Sequence, residues 1–92
     1  MYYVYILTNP SRTVLYTGFT SDLPKRTWQH KQKLVTEFSQ KYNTTILVYY
    51  EIGEERQATL EREKQIKDMS RDKKISLIES MNPKWEELYS KL

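Results

Sequence analysis

Five side chains in this sequence are of types that handle phosphate, water and metal ions, and their spacing suggests that one fold gathers them. Tyr5 and Tyr16 stand in two β-branched and aromatic runs, 2–7 and 14–19, separated by the turn formers Asn9-Pro10-Ser11-Arg12. If those runs pair as an antiparallel hairpin, the two tyrosines come close together. Arg26 and His30 are four residues apart, on one helical face with Leu23, Thr27 and Leu34. Polar groups directed at a packed face are costly unless something pairs with them, and a phosphate would serve. Glu63 falls in helical register with Leu60, Ile66 and Lys67, whereas Glu61 and Asp68 take the solvent side. An inward carboxylate can hold Mg²⁺, which is often bound by one or two protein carboxylates with water and substrate phosphate completing its octahedron.

Each feature also has a plainer account. Tyrosine suits strands whatever their function, and this chain has eight. His30 reads equally well as a satisfied boundary histidine, Arg26 as a snorkelling side chain and Glu63 as the partner of Arg26 or a lysine. Lys64, Lys67, Arg71 and Lys74 would make a basic stripe if one helix ran through Ser70, but Ser70 has capping character and a solvated face is the simpler reading. Other chemistries find less support. Two glycines make no phosphate-cradling loop, no cysteine means no thiolate metal site, and no Ser-His-Asp order is present.

The elements that must position these residues follow from the pattern. After the hairpin, Ser21 and Asp22 are good N-caps and Pro24 fits a first helical turn, so a helix is expected from there through Leu34. Residues 46–52, Ile-Leu-Val-Tyr-Tyr-Glu-Ile, form a nearly continuous apolar run, the expected central strand. Gly53 breaks it, and the acidic pair Glu54-Glu55 leads into a second long helix through Lys67. Ser70 starts another over 72–79, and Pro83 is expected to open a last short helix carrying Trp85, Leu88 and Tyr89. The order is β-β-α-β-α-α, an α+β fold with a small three-stranded sheet flanked by helices, and residues 1–92 read as one domain without repeats.

Charge points the same way as the candidate site. The net +3 is uneven, because residues 1–50 carry six Lys/Arg against Asp22 and Glu37 while residues 51–92 carry nine against ten. A basic front half is compatible with a polyanionic partner. No run approaches the roughly 20 apolar residues of a membrane span, so no membrane partner is expected, and a reducing cytoplasm fits a chain without cysteine.

Tyr3-Val4-Tyr5 followed by Tyr16-Thr17-Gly18 resembles the paired half-motifs of the GIY-YIG nuclease family. Arg26 eight residues after Gly18, then His30, then an Ala58-to-Lys67 helix carrying Glu63 continue the likeness. Asn82-Pro83 and Trp85 are similar to the tail of its short stand-alone, single-domain bacterial members of the UPF0213 type. The resemblance implies a three-stranded antiparallel sheet with flanking helices and metal-dependent hydrolysis of phosphodiester bonds by an endonuclease. It implies one Mg²⁺ or Mn²⁺ held by Glu63, the scissile phosphate at Arg26, and Tyr5 or Tyr16 positioning or deprotonating the attacking water. His30 would assist proton transfer or contact phosphate. Gly18, Lys25, Lys31, Lys64 and Lys67 are the further residues expected against nucleic acid, with DNA the first expectation, in a larger repair or recombination complex. Two positions depart from the pattern: Tyr3 stands where the motif's name has glycine, and Phe19 where some repair nucleases of the family have lysine. The competing readings are a non-catalytic nucleic-acid-binding module of the same fold and a protein-interaction adaptor.

Overall fold

The structure, a computed structural model, describes residues 1–34 and 37–92. Two strands open the chain, β1 (Tyr2–Thr8) and β2 (Leu15–Thr20), joined by a turn in which the Asn9 side-chain oxygen accepts from the backbone N–H groups of Thr13 and Val14. Helix α1 (Leu23–Lys31) is capped by the Asp22 carboxylate, which accepts from Lys25 N at 3.2 Å. It ends three residues short of Leu34, because Lys33 takes a left-handed conformation (φ 58°) and leaves Leu34 exposed. A short helix absent from the sequence reading, α2 (Glu37–Tyr42), precedes β3 (Ile46–Gly53). Helix α3 (Arg56–Lys67) and helix α4 (Arg71–Met81) follow, and the Ser70 hydroxyl caps α4 by accepting from Lys73 N. Because α3 ends at Lys67, the basic stripe from Lys64 to Lys74 is not one helical face.

The sheet is antiparallel with order β2-β1-β3, so the central strand is β1 and not the 46–52 run. The reason lies in burial on both faces: Val4 through Thr8 are all buried, while in β3 only Leu47, Val48 and Tyr49 are, Tyr50 and Glu51 being half-buried and Ile52 exposed. Both runs are apolar enough to be central, and packing rather than composition decides between them. The β1–β3 register shifts between Ile6 and Leu7, leaving Val48 without a paired residue.

Strand pleating divides the core into two layers. Val4 and Ile6 pack with Val48, Tyr49, Ile66 of α3 and Ile78 of α4. Tyr5 and Leu7 pack on the other face with Leu23 of α1, Leu47 and Leu88. Pro83 does not open a helix. Asn82 is buried, and its amide donates to Val48 O at 3.1 Å and Glu86 O at 2.8 Å while its oxygen accepts from Glu86 N at 2.9 Å. Those bonds fix a turn in which Trp85 has φ 55°, and only Tyr89–Lys91 forms a 3₁₀ turn. Among the described residues no helix is long and apolar enough to cross a membrane.

Candidate active site

The site is built outward from Tyr5. Its partner across the hairpin is Gly18, and a Cβ at position 18 would lie 2.4 Å from both Cζ and the hydroxyl oxygen of Tyr5. The tyrosine ring therefore crosses β2 where only glycine leaves room, which carries its hydroxyl to the β2 edge of the sheet. There it meets His30 of α1, with the phenol oxygen 3.0 Å from Nε2 and the rings edge to face at 5.7 Å. Tyr16, two residues from Gly18 and so on the same face, lies 6.4 Å from the Tyr5 ring and 5.2 Å from that of His30.

The electrostatics follow from this burial. The Tyr5 phenol is held well above its ordinary pKa of 10.0, first by burial, then by Tyr16 and by the Glu63 charge, and the opposing charge and hydrogen bonding of Arg26 do not offset them. His30 is fully buried and is pushed down to about 4, by burial first and by the Arg26 charge second. At neutral pH the pair is therefore uncharged, with one imidazole nitrogen protonated and the other an acceptor. Since Arg26 and Glu63 both act on the Tyr5 phenol, the hairpin, α1 and α3 each contribute a group to one neighbourhood.

Arg26 also opens onto a cleft of about 320 Å³ at the start of α1, lined by Thr20, Ser21, Asp22, Lys25 and Gln29. Lys25, exposed in the first turn, belongs to the same polar wall. Glu63 is partly sheltered, at 17% side-chain exposure, and Lys67 stands 3.2 Å from it. Among the described residues no three His, Cys, Asp or Glu side chains converge. A single carboxylate, here partly sheltered and paired with Lys67, suits a hard cation that keeps most of its water rather than a closed zinc site, so Glu63 would hold Mg²⁺ or Mn²⁺ in exchange for the Lys67 pairing.

The remaining expected contacts divide. Lys64 is exposed on α3. Lys31 is not available to a ligand: its ammonium pairs with Glu87, donates to Thr45 O at 2.8 Å and lies 5.0 Å from the centre of the Tyr89 ring. It ties the C-terminal segment to α1, a role that no spacing in the sequence signals. Phe19 carries no charge, but the Arg56 guanidinium lies 5.9 Å from its ring centre, so that corner is not without a cation. The sequence reading also passed over Phe38 and Tyr42, whose separation by four residues on α2 was the available signal.

An antiparallel three-stranded sheet whose hairpin tyrosines pack against a helix histidine, with an arginine and a glutamate of flanking helices acting on the Tyr5 phenol by charge, has the layout of a GIY-YIG-type domain. Residues 1–76 match the family model described as the GIY-YIG catalytic domain, and the chain belongs to that family. Its relatives include a UPF0213 protein of Clostridium perfringens, 37% identical over 99% of this chain and 96% of that one. A UPF0213 protein of Syntrophus aciditrophicus is 39% identical over 88% of this chain and 92% of its own length. Among solved structures, the solution structure of the UPF0213 protein BH0048 from Bacillus halodurans is similar with a TM-score of 0.60 at 26% identity, covering 95% of this chain and 93% of that one.

Proposed function

We propose that this chain is a metal-dependent endonuclease that hydrolyses phosphodiester bonds in nucleic acid, DNA in the first instance. The observation that carries the reading is the convergence on the Tyr5 hydroxyl of His30 by hydrogen bond and of Arg26 and Glu63 by charge. Family membership supports the reaction class, and the polar cleft beside Arg26 and Lys25 suits a phosphate.

The residues divide the work as follows. Arg26 binds the scissile phosphate, whose oxygens gain negative charge as water attacks, so its guanidinium is worth more in the transition state than before it. Glu63 holds Mg²⁺ or Mn²⁺, which when bound draws charge from those oxygens. Tyr5 is too weak an acid, buried as it is, to wait as a phenolate. It serves instead by orienting the water and taking its proton while passing its own to His30 Nε2, so that no phenolate is needed. His30 is a poor proton acceptor first because it is buried and second because of the Arg26 charge; a phosphate on Arg26 neutralises the second contribution and raises the histidine part of the way. Tyr16 closes the third side of this group.

The test is cleavage of labelled duplex, flap and single-stranded DNA and RNA with Mg²⁺ or Mn²⁺ by the unaltered protein and by Glu63→Gln, Arg26→Ala and Tyr5→Phe. Metal-dependent cutting should fall by about 10²–10³ on loss of Arg26, the scale for one donor to developing charge. Binding of every substrate with no cutting under any metal would leave a non-catalytic nucleic-acid module in place of the enzyme.

A further inference from the structure

The tyrosine group does not end at the catalytic residues. The Tyr16 ring contacts Phe38 of α2 at 5.5 Å, and Phe38 contacts Tyr42 at 4.7 Å, so a run of aromatic rings leads from buried Tyr5 outward. Exposure rises along it, from 1% at Tyr5 to 37% at Phe38 and 40% at Tyr42. Isolated exposed aromatics are ordinary, but here two lie in contact with each other and continue a functional cluster. Lys41 places its ammonium 5.4 Å from the centre of the Tyr42 ring, next to the platform and in the basic half of the chain. Aromatic rings beside a cation, continuous with a phosphate site, are the arrangement on which unpaired nucleobases stack while the backbone is held by charge.

We propose that Phe38 and Tyr42 form a stacking platform for unpaired bases flanking the phosphate bound at Arg26, so that the chain prefers single-stranded to duplex nucleic acid. This rests on the nuclease reading above and adds to it the substrate class and two residues outside the tyrosine, arginine, histidine and glutamate set. In a duplex the bases are already stacked on one another, and their faces are closed to Phe38 and Tyr42.

The experiment measures the affinity of the full chain in EDTA, where binding is read without cleavage, for a fluorescent single strand, the same strand in a duplex, and a fully abasic strand of equal length. The unaltered protein should bind the single strand at least tenfold tighter than either competitor. Phe38→Ala and Tyr42→Ala should each weaken the single strand by roughly five- to tenfold, toward the lower end of what loss of base–aromatic stacking gives. Neither variant should change affinity for the abasic strand, which also shows that each is still folded, since both rings are more than half covered and their loss costs some stability. Equal affinity for strand and duplex, or single-strand affinity unchanged in both variants, would overturn the platform while leaving the nuclease reading intact. Failure to bind any nucleic acid would remove both together.

Discussion

His30 is the only histidine in the chain, which makes its burial open to direct measurement. Its pKa is 6.5 when unperturbed and about 4 in the folded protein. Between those values the unfolded chain binds a proton that the native state refuses, so stability rises with pH through this window. The stabilisation is complete above 6.5 and is lost as pH falls toward 4. At 1.36 kcal/mol per pH unit the gap is worth about 3 kcal/mol, a large part of the margin of a small domain. The perturbation is His30→Gln, which keeps a polar side chain of similar reach and removes the titration. Urea unfolding of both proteins from pH 7.5 to 4 should show their stability difference shrinking by about 3 kcal/mol on acidification. Glu51, whose pKa is lowered chiefly by the Arg62 hydrogen bonds, also loses stabilisation as pH falls, but it does so in both proteins and cancels. An NMR titration of the single imidazole gives the same quantity independently. A midpoint near 6.5, or stability curves that run parallel through the window, would refute the argument that the ring is held neutral by burial and Arg26.

Three further outcomes follow from particular contacts. Gly18→Ala drives a methyl into the Tyr5 ring, so it should cost about 1–3 kcal/mol by overpacking and abolish the Tyr5–His30 hydrogen bond, seen as a change in the His30 ring resonances by NMR. Thr17 is buried with a hydroxyl that has no hydrogen-bond partner among the described residues; Thr17→Val should stabilise by about 1 kcal/mol, raising the melting temperature by about 4–8 °C. Asn82→Ala leaves the carbonyls of Val48 and Glu86 without their amide donor and should lower stability by about 2–3 kcal/mol, read from the shift in the urea midpoint.

The hairpin and its tyrosines were legible because alternation and the Asn9-Pro10 turn set the register locally, and register alone brings Tyr5 and Tyr16 to one face. Arg26 and His30 were legible for the same reason, helical spacing being a local property. What lay hidden was decided by distant partners. Whether β1 or β3 is central depends on which run is covered on both faces. Pro83 is compatible with a helix start and with a turn, and the buried bonds of Asn82 to Val48 and Glu86 select the turn. Lys31 looks like any surface lysine until Glu87, fifty-six residues away, is found beside it. Phe38 and Tyr42 carried a readable spacing, but the short α2 has no apolar stripe to announce it.

The C-terminal segment that Lys31 and Glu87 secure has a consequence for association. Leu47 lies on β3, an outer strand, and both of its backbone groups are taken: Leu88 N donates to Leu47 O at 2.8 Å, and the Glu87 carboxylate accepts from Leu47 N at 2.6 Å. A bare strand edge is a template on which another chain can add a strand, and nature blunts such edges with charge or with covering loops. Here both devices act at one residue, through a segment beyond the 76 residues matched by the family model. At Leu47, then, the C-terminal segment takes the place on the β3 edge that an added strand would need.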